Sequence, residues 1–127
     1  MLSKNVKFSK IFKKQYSNCD GKLKSKFKSL NLRSKGCMYW QLSRQTKIKT
    51  VHYILDENGQ LAAWALTFST NNNNVSHLHT YFYTRVIYRK CGLGYKLSKA
   101  VLKYANTLGK EVMFYERAKR FLEKNIF

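Results

Sequence analysis

The chain has 127 residues and a formal net charge of +19, and 44% of its residues are hydrophobic. This length predicts one domain, residues 1–127, and the apolar fraction is enough for a buried core, which excludes a wholly disordered chain. No apolar run reaches the roughly 18 residues that a membrane-spanning helix needs, and Met1–Gln15 is too polar for a secretory signal. We therefore expect a soluble, cytoplasmic protein without a membrane partner.

The spacing of the cysteines and the distribution of charge limit the metal sites and partners that can be expected. The three cysteines lack metal-ligand spacing, so we expect free thiols and no metal site. Residues 1–49 hold fourteen Lys or Arg against one Asp, a net +13; residues 85–127 hold eleven against three Glu, a net +8; residues 50–84 hold one Asp and one Glu, a net −2. Such a field attracts polyanions and predicts nucleic acid or a ribonucleoprotein as a partner. The alternative is a composition bias towards lysine and asparagine.

The N-terminal part, residues 1–47, is basic and is predicted to be helical. Apolar residues recur at three- and four-residue spacing in Ser9–Tyr16 and Lys22–Leu32, which indicates two short amphipathic helices. The aromatic-rich run Met38–Ser43 is compatible with a strand or a helix end.

The centre of the chain has the pattern of antiparallel strands. Ile48–Leu55 and Gln60–Ser69 are rich in β-branched and aromatic residues, and the Asn58–Gly59 turn between them predicts a hairpin. After an asparagine-rich loop, Val75–Tyr88 reads as one long strand.

A glycine-rich turn, Tyr88–Gly94, follows this strand and precedes a run of helical period. Glycines at 92 and 94 let backbone N–H groups approach an anion, and the following helix start adds unpaired N–H groups and the positive end of its dipole. The turn therefore indicates a phosphate cradle; the alternative is a simple strand-to-helix turn.

The remaining pattern predicts a parallel crossover. Leu93–Leu108 has an amphipathic helical period with Gly109 as its stop, Glu111–Tyr115 is strand-like, and Glu116–Lys124 is helical again. Strand, glycine turn, helix and strand form a right-handed crossover, so the sheet is mixed but mostly antiparallel. The predicted class is α+β with three layers.

Three segments in this order resemble a known family. Leu55–Ala65 looks like its hairpin, Tyr88–Gly94 like its Arg/Gln-x-x-Gly-x-Gly/Ala pyrophosphate loop, and Ala118–Phe127 like its final helix, often written A-x-x-F-Y-E-K-x-G-F. The family is the GNAT superfamily, whose members transfer acetyl from acetyl-CoA to an amine. The resemblance covers residues 48–127 and implies a GNAT-like fold with the sheet and the CoA-binding core in that part.

The resemblance implies acetyl-CoA as co-substrate and a set of residues around its pyrophosphate. These residues are Arg89, Lys90, Cys91, Gly92, Leu93, Gly94 and Tyr95. Backbone N–H groups of the loop would bind the phosphates, so side-chain identity matters little there.

Two departures from the family pattern concern catalysis. The family often has a carboxylate on the strand corresponding to Val75–Tyr88, which contains no Asp or Glu; His77 and His79 are the candidate bases there, and the alternative is a hydrogen-bonded strand histidine. The tyrosine that usually protonates the CoA sulfur is replaced by Leu122, so Tyr115 is the candidate acid, or else a core tyrosine.

A third departure is that the family usually continues into a further strand after Phe127. We therefore expect a second copy, another partner chain or the N-terminal segment to complete the sheet. Two functions stay open: an N-acetyltransferase for an amine of a protein or an RNA-linked acceptor, and an impaired GNAT-fold module that binds nucleic acid or a host protein through its basic surface. Size and composition would suit a phage protein.

Overall fold

A computed structural model of the chain describes residues 6–33, 49–69 and 77–114. The described part is a five-stranded sheet in the order β1-β2-β3-β4-β5, with a helix packed on each face. The elements are β1 Phe12–Gln15, α1 Gly21–Arg33, β2 Lys49–Leu55, β3 Leu61–Phe68, β4 His77–Thr84, α2 Leu93–Thr107 and β5 Glu111–Phe114. The predicted α+β class and the three layers are confirmed.

The hairpin of β2 and β3 is the centre of the sheet. Its strands pair antiparallel from Lys49 opposite Phe68 onwards, and Gly59 in the turn has a φ of 75°, which a glycine adopts without strain. β4 pairs antiparallel with β3. The three successive antiparallel strands expected from the sequence are therefore confirmed.

The chain then makes the parallel crossover. β5 pairs parallel with β4, from His77 opposite Glu111 to Thr80 opposite Phe114. The helix between them ends in a Schellman motif: Gly109 has a φ of 64°, and the N–H groups of Gly109 and Lys110 donate to carbonyls of the last turn. The predicted helix stop at Gly109 is confirmed.

The sheet has a buried core on each side. The α1 face is aromatic and packs on Phe27 of α1, which is fully buried; it includes Val51, Tyr53, Trp64, Leu66, Phe68 and Tyr83. The α2 face is built from small residues of β3 and apolar residues of α2; it includes Ile54, Ala62, Ala63, Ala65, Leu93, Leu97 and Val101. Alanines on β3 let the helix backbone approach the sheet closely.

Two elements differ from the sequence prediction. The first is Ser9–Tyr16, expected to be helical: Phe12–Gln15 is instead a strand paired with β2, and the ring of Phe12 stacks on Tyr53 at 5.3 Å. The backbone hydrogen bonds offered by the edge of β2 outweigh a helical period that spans only two turns. The N-terminal part is therefore not purely helical, although the second predicted helix is confirmed by α1.

The second difference lies at the end of β4. The strand stops at Thr84, and Val86–Tyr88 form a 3-10 turn instead of continuing it. Val86 and Ile87 are β-branched residues, which favour a strand, but both are exposed here and so are not part of the core. The predictions for residues 38–43 and 116–124 lie outside the described residues.

The N-terminal strand lies beside β2, at the edge opposite β5. It therefore does not complete the sheet at β5. A second copy or another partner chain in that place stays a prediction.

Candidate functional site

The candidate site is the loop that connects β4 to α2. The N–H of Arg85 donates to the carbonyl of Ala62 on β3 at 2.9 Å, which fixes the start of the loop on the sheet. Lys90 and Gly92 have positive φ angles of 68° and 79°. These two left-handed residues turn the chain so that α2 starts at Leu93.

The start of α2 exposes backbone donors. Gly92 is the N-cap and no side chain caps the helix, and the N–H of Lys96 donates to the carbonyl of Gly92 at 3.1 Å as the first bond of the helix. The N–H groups of residues 93–95 lie before that bond and have no carbonyl within the helix. A Cβ added to Gly92 would meet no atom within 4 Å, so the space beside this helix end is open. Unpaired N–H groups and the positive end of a helix dipole are the features by which a helix start can hold an anion.

A buried hydrogen bond holds the loop to the hairpin turn. The hydroxyl of Tyr88 donates to Oδ2 of Asp56 at 2.9 Å, and Oδ1 of Asp56 accepts from the N–H groups of Asn58 and Gln60. Burial alone would raise the pKa of the Asp56 carboxyl, but the hydrogen bonds from Gln60, Tyr88 and Asn58 outweigh it and hold that pKa below its usual value. The same bond raises the pKa of Tyr88, whose ring also packs edge-on against Phe8.

The side chains of the loop divide into a cationic rim and a buried base. Arg89 and Lys90 are exposed, and Nε of Arg89 donates to the carbonyl of Thr84 at 3.3 Å. Leu93 is buried in the core on the α2 face, and Cys91 packs partly against the same core. The seven residues predicted to hold the cofactor therefore form one continuous loop and helix start: Arg89, Lys90, Cys91, Gly92, Leu93, Gly94 and Tyr95.

Two of the candidate catalytic residues, His77 and His79, lie at the start of β4, at the opposite end of the strand from the loop. His79 is half-buried, and its ring stacks on Phe68 at 5.4 Å, on the α1 face. His77 is the first residue of β4, opposite Glu111 of β5. Tyr115 lies outside the described residues. The structure thus places His79 in an aromatic environment on the α1 face of the sheet.

Sequence reasoning missed two polar clusters. On the α2 face, His52 is 2% exposed beside the ring of Tyr104, and burial, with the charge of Lys13, lowers its pKa to about 4. On the α1 face, the ammonium groups of Lys24 and Lys49 flank the ring of Tyr16. Neither cluster has a sequence signal, because its members come from separate elements.

The described residues 6–33, 49–69 and 77–114 include neither a metal-ligand cluster nor a membrane-spanning helix. No three His, Cys, Asp or Glu side chains in that part of the chain are grouped as metal ligands would be. Within the same ranges, no helix has the length and apolar character to cross a membrane.

The mixed five-stranded sheet with its parallel β4–β5 crossover defines an α+β fold of the acetyltransferase type. The acetyltransferase (GNAT) family model matches residues 10–126. The chain belongs to this family and is thereby an N-acetyltransferase. No curated protein sequence matches the chain significantly.

Solved structures with the same fold are distant in sequence. A Pyrococcus furiosus protein assigned as an acetyl transferase has a TM-score of 0.66 and 13% identity over 91% of this chain and 92% of its own. AAC(6')-Iy, in complex with a CoA-containing bisubstrate analog, has a TM-score of 0.61 and 11% identity over 93% of this chain and 87% of its own. A protein assigned as a phosphinothricin N-acetyltransferase has a TM-score of 0.61 and 19% identity over 92% of this chain and 81% of its own. At these identities the likeness establishes the fold alone.

Proposed function

We propose that the protein uses acetyl-CoA, bound at the start of α2, to acetylate an amine of a protein or of an RNA-linked acceptor. The observation that carries the cofactor site is the uncapped start of α2 at Gly92, with its left-handed φ of 79° and open space beside it. The rim cations Arg89 and Lys90 support the same assignment, because they lie beside the donors that would hold a pyrophosphate.

The described strand β4 connects this cradle to the candidate base. His79 lies five residues before Thr84, a separation of roughly 16 Å along a strand. The pantetheine arm of CoA is an extended chain of comparable reach. A cofactor whose phosphates lie at the loop would therefore bring its thioester towards the end of β4 that carries His77 and His79.

Acetyl transfer makes a carbon–nitrogen bond and breaks the carbon–sulfur bond of the thioester that acetyl-CoA supplies. The amine must lose a proton, and the departing sulfur must gain one. We assign His79, with His77 as the alternative, to accept the amine proton, because an imidazole is the side chain whose ordinary pKa lies nearest neutrality. Tyr115 is the candidate donor to the sulfur.

The test of the cofactor site is acetyl-CoA binding measured by calorimetry. Gly92→Asp and Gly94→Glu place a side chain and a negative charge in the cradle, and we expect each to reduce affinity at least tenfold. Asn106→Asp adds the same charge at the other, exposed end of α2 and is the matched control. Binding that is absent in the folded wild type, or unchanged in both glycine variants, would refute the proposed site.

A second candidate function is a binding module of the same fold that engages nucleic acid or a partner protein. It is favoured by exposed lysines of β1 and α1, including Lys13, Lys14 and Lys22, and by the lack of any Asp or Glu in β4. Its test is the dependence of nucleic-acid affinity on salt, since phosphate contacts give a steep linear loss of log K with log salt. A flat dependence would remove nucleic acid as a partner.

A further inference from the structure

The N-terminal arm, residues 6–11, lies along the end of the central hairpin before β1 begins. Phe8 forms an antiparallel bridge with Asp56, the residue that follows β2. The N–H of Ser9 donates to the carbonyl of Leu55, and Oγ of Ser9 accepts the N–H of Leu55, each at 2.9 Å. The apolar residues of the arm pack partly on the core of the α2 face: Val6, Phe8 and Ile11. The arm is therefore fixed to the end of β2, beside the hairpin turn.

The arm contacts the residue from which the glycine loop departs. The rings of Phe8 and Tyr88 have their centroids 5.1 Å apart and their planes at 89°, which is the edge-to-face arrangement that aromatic pairs favour. Tyr88 is 7% exposed, and its hydroxyl donates to Oδ2 of Asp56. One tyrosine side chain is thus held at its hydroxyl by the hairpin turn and at its ring by the N-terminal arm.

The backbone of Tyr88 begins the turn that leads into α2. Its N–H donates to the carbonyl of Arg85 at 2.9 Å, and its carbonyl accepts the N–H of Cys91 at 3.4 Å. Lys90 and Gly92, both with left-handed φ angles, follow within four residues. A displacement of Tyr88 therefore moves the carbonyl on which this turn is built, and with it the N–H groups at the start of α2.

The two contacts of Tyr88 restrain different degrees of freedom. The hydrogen bond to Asp56 fixes the position of the hydroxyl oxygen, but a single bond leaves the ring able to tilt about that point. The edge of Phe8 occupies the space beside the ring and opposes this tilt, because side chains in a packed core have no room to reorient. Loss of the Phe8 ring would free the Tyr88 ring to move while the bond to Asp56 persists.

We propose that Phe8 is a positioning residue for the candidate cofactor loop: by packing on Tyr88, it holds the turn before Gly92 in the shape that presents the N–H groups at the start of α2. The part of this inference that concerns acetyl-CoA rests on the proposed function. If the loop leaves this shape in a fraction of the molecules, the apparent affinity falls in proportion to the fraction that remains competent to bind. The N-terminal arm and the cofactor loop, although far apart in sequence, therefore act as one unit.

The first measurement is amide hydrogen exchange of the full-length, unliganded protein, resolved by residue with NMR. Phe8→Ala is compared with Phe12→Ala, because Phe12 is also half-buried and lies in the same N-terminal region but packs on the α1 face. We expect Phe8→Ala to speed exchange at the N–H groups of Tyr88 and Cys91 severalfold more than at Val101, which is buried in the middle of α2 and reports the stability of the whole fold. Phe12→Ala should change all three N–H groups alike, and Phe8→Tyr, which keeps the ring, should exchange as the wild type does.

The second measurement is acetyl-CoA binding to the same variants by calorimetry. We expect Phe8→Ala to weaken the affinity about threefold or more, while Phe12→Ala and Phe8→Tyr stay within about a factor of two of the wild type. Phe8→Leu keeps an apolar side chain on the core but loses the ring, so it replaces Phe8→Ala in both measurements if the alanine variant does not fold.

The two measurements separate this proposal from the proposed function. Loop exchange that responds equally to the alanine variants of Phe8 and Phe12, or to neither of them, overturns the positioning role. An unchanged acetyl-CoA affinity in a Phe8 variant whose loop exchange is faster overturns the link between loop shape and binding. Faster loop exchange in Phe8→Ala, together with no acetyl-CoA binding by the folded wild type, supports the positioning role and contradicts the proposed function instead.

Discussion

The hydroxyl of Tyr88 and Oδ2 of Asp56 form a buried hydrogen bond of 2.9 Å that ties the glycine loop to the β2–β3 turn. The two residues are 32 positions apart, and the bond fixes the residue from which the loop departs towards α2. The shape of the candidate cofactor site therefore depends on a side chain of the central hairpin.

Removing the Tyr88 hydroxyl tests this relationship. In Tyr88→Phe, a buried carboxylate loses a donor, and we expect a loss of about 1 to 3 kcal/mol in the free energy of unfolding, with a severalfold weaker affinity for acetyl-CoA. Chemical denaturation and calorimetry measure the two effects. Tyr83→Phe is the control, because the Tyr83 hydroxyl bonds to no other described residue. Equal effects of the two substitutions would show that the bond to Asp56 has no special role.

Lys90 contributes a rim charge and also has a strained backbone, and two substitutions separate the effects of the charge and of the strain. At a φ of 68° an L residue is strained, so Lys90→Gly is expected to raise the free energy of unfolding by about 0.5 to 1 kcal/mol relative to Lys90→Ala. Both variants lose the same rim charge and should lose acetyl-CoA affinity equally. Thermal unfolding and binding measured side by side check this. A difference in affinity that follows the difference in stability would mean that loop shape, not charge, governs binding.

Substitution by alanine is expected to have opposite effects on stability at Gly109 and at Gly21. Gly109→Ala puts a side chain at a φ of 64° and is expected to cost about 1 to 2 kcal/mol. Gly21 is the first residue of α1, its added Cβ would meet nothing within 4 Å, and its φ is not in the left-handed range. Gly21→Ala should therefore be neutral or stabilising by up to about 1 kcal/mol. Urea denaturation distinguishes the two, and equal costs would argue against the Schellman geometry.

The buried side chain of His52 is expected to make the fold less stable in acid. Its pKa of about 4 in the folded protein is below the ordinary 6.5 because burial and Lys13 disfavour the charged ring. The unfolded chain therefore binds the proton first as pH falls, so stability is complete above about pH 6.5 and is lost as pH falls towards 4. We expect a loss of roughly 2 kcal/mol between pH 8 and pH 5 from this group.

His52→Phe keeps the ring beside Tyr104 and removes the titration. The free energy of unfolding, measured by denaturation at several pH values, should then change much less over this range. An unchanged pH dependence in the variant would assign the acid sensitivity to other groups.

The glycine turn shows how far local sequence goes. The spacing of Gly92 and Gly94 and the helical period after them were enough to predict a strand, a turn and a helix, because each is set by residues near in sequence. The hairpin around Asn58 and Gly59 was predictable for the same reason. The resemblance added acetyl-CoA as the expected co-substrate, and the match to the family model confirmed the family.

Segments whose state depends on distant partners were not predictable. Phe12–Gln15 has a plausible helical period, but it forms a strand because β2 presents an unfilled edge beside it. The β propensity of Val86 and Ile87 would likewise extend β4, but the strand ends at Thr84 because the chain has to turn there towards α2.

Sequence alone determined the α+β class, the crossover and the position of the strand-to-helix turn, since these follow from periodicity and glycine placement within short runs. Only the tertiary structure decided which side chains meet. It joined Tyr88 to Asp56, buried His52 beside Tyr104, and brought Lys24 and Lys49 around Tyr16. These pairs depend on strand register and helix packing, which are long-range and leave no mark on the local sequence.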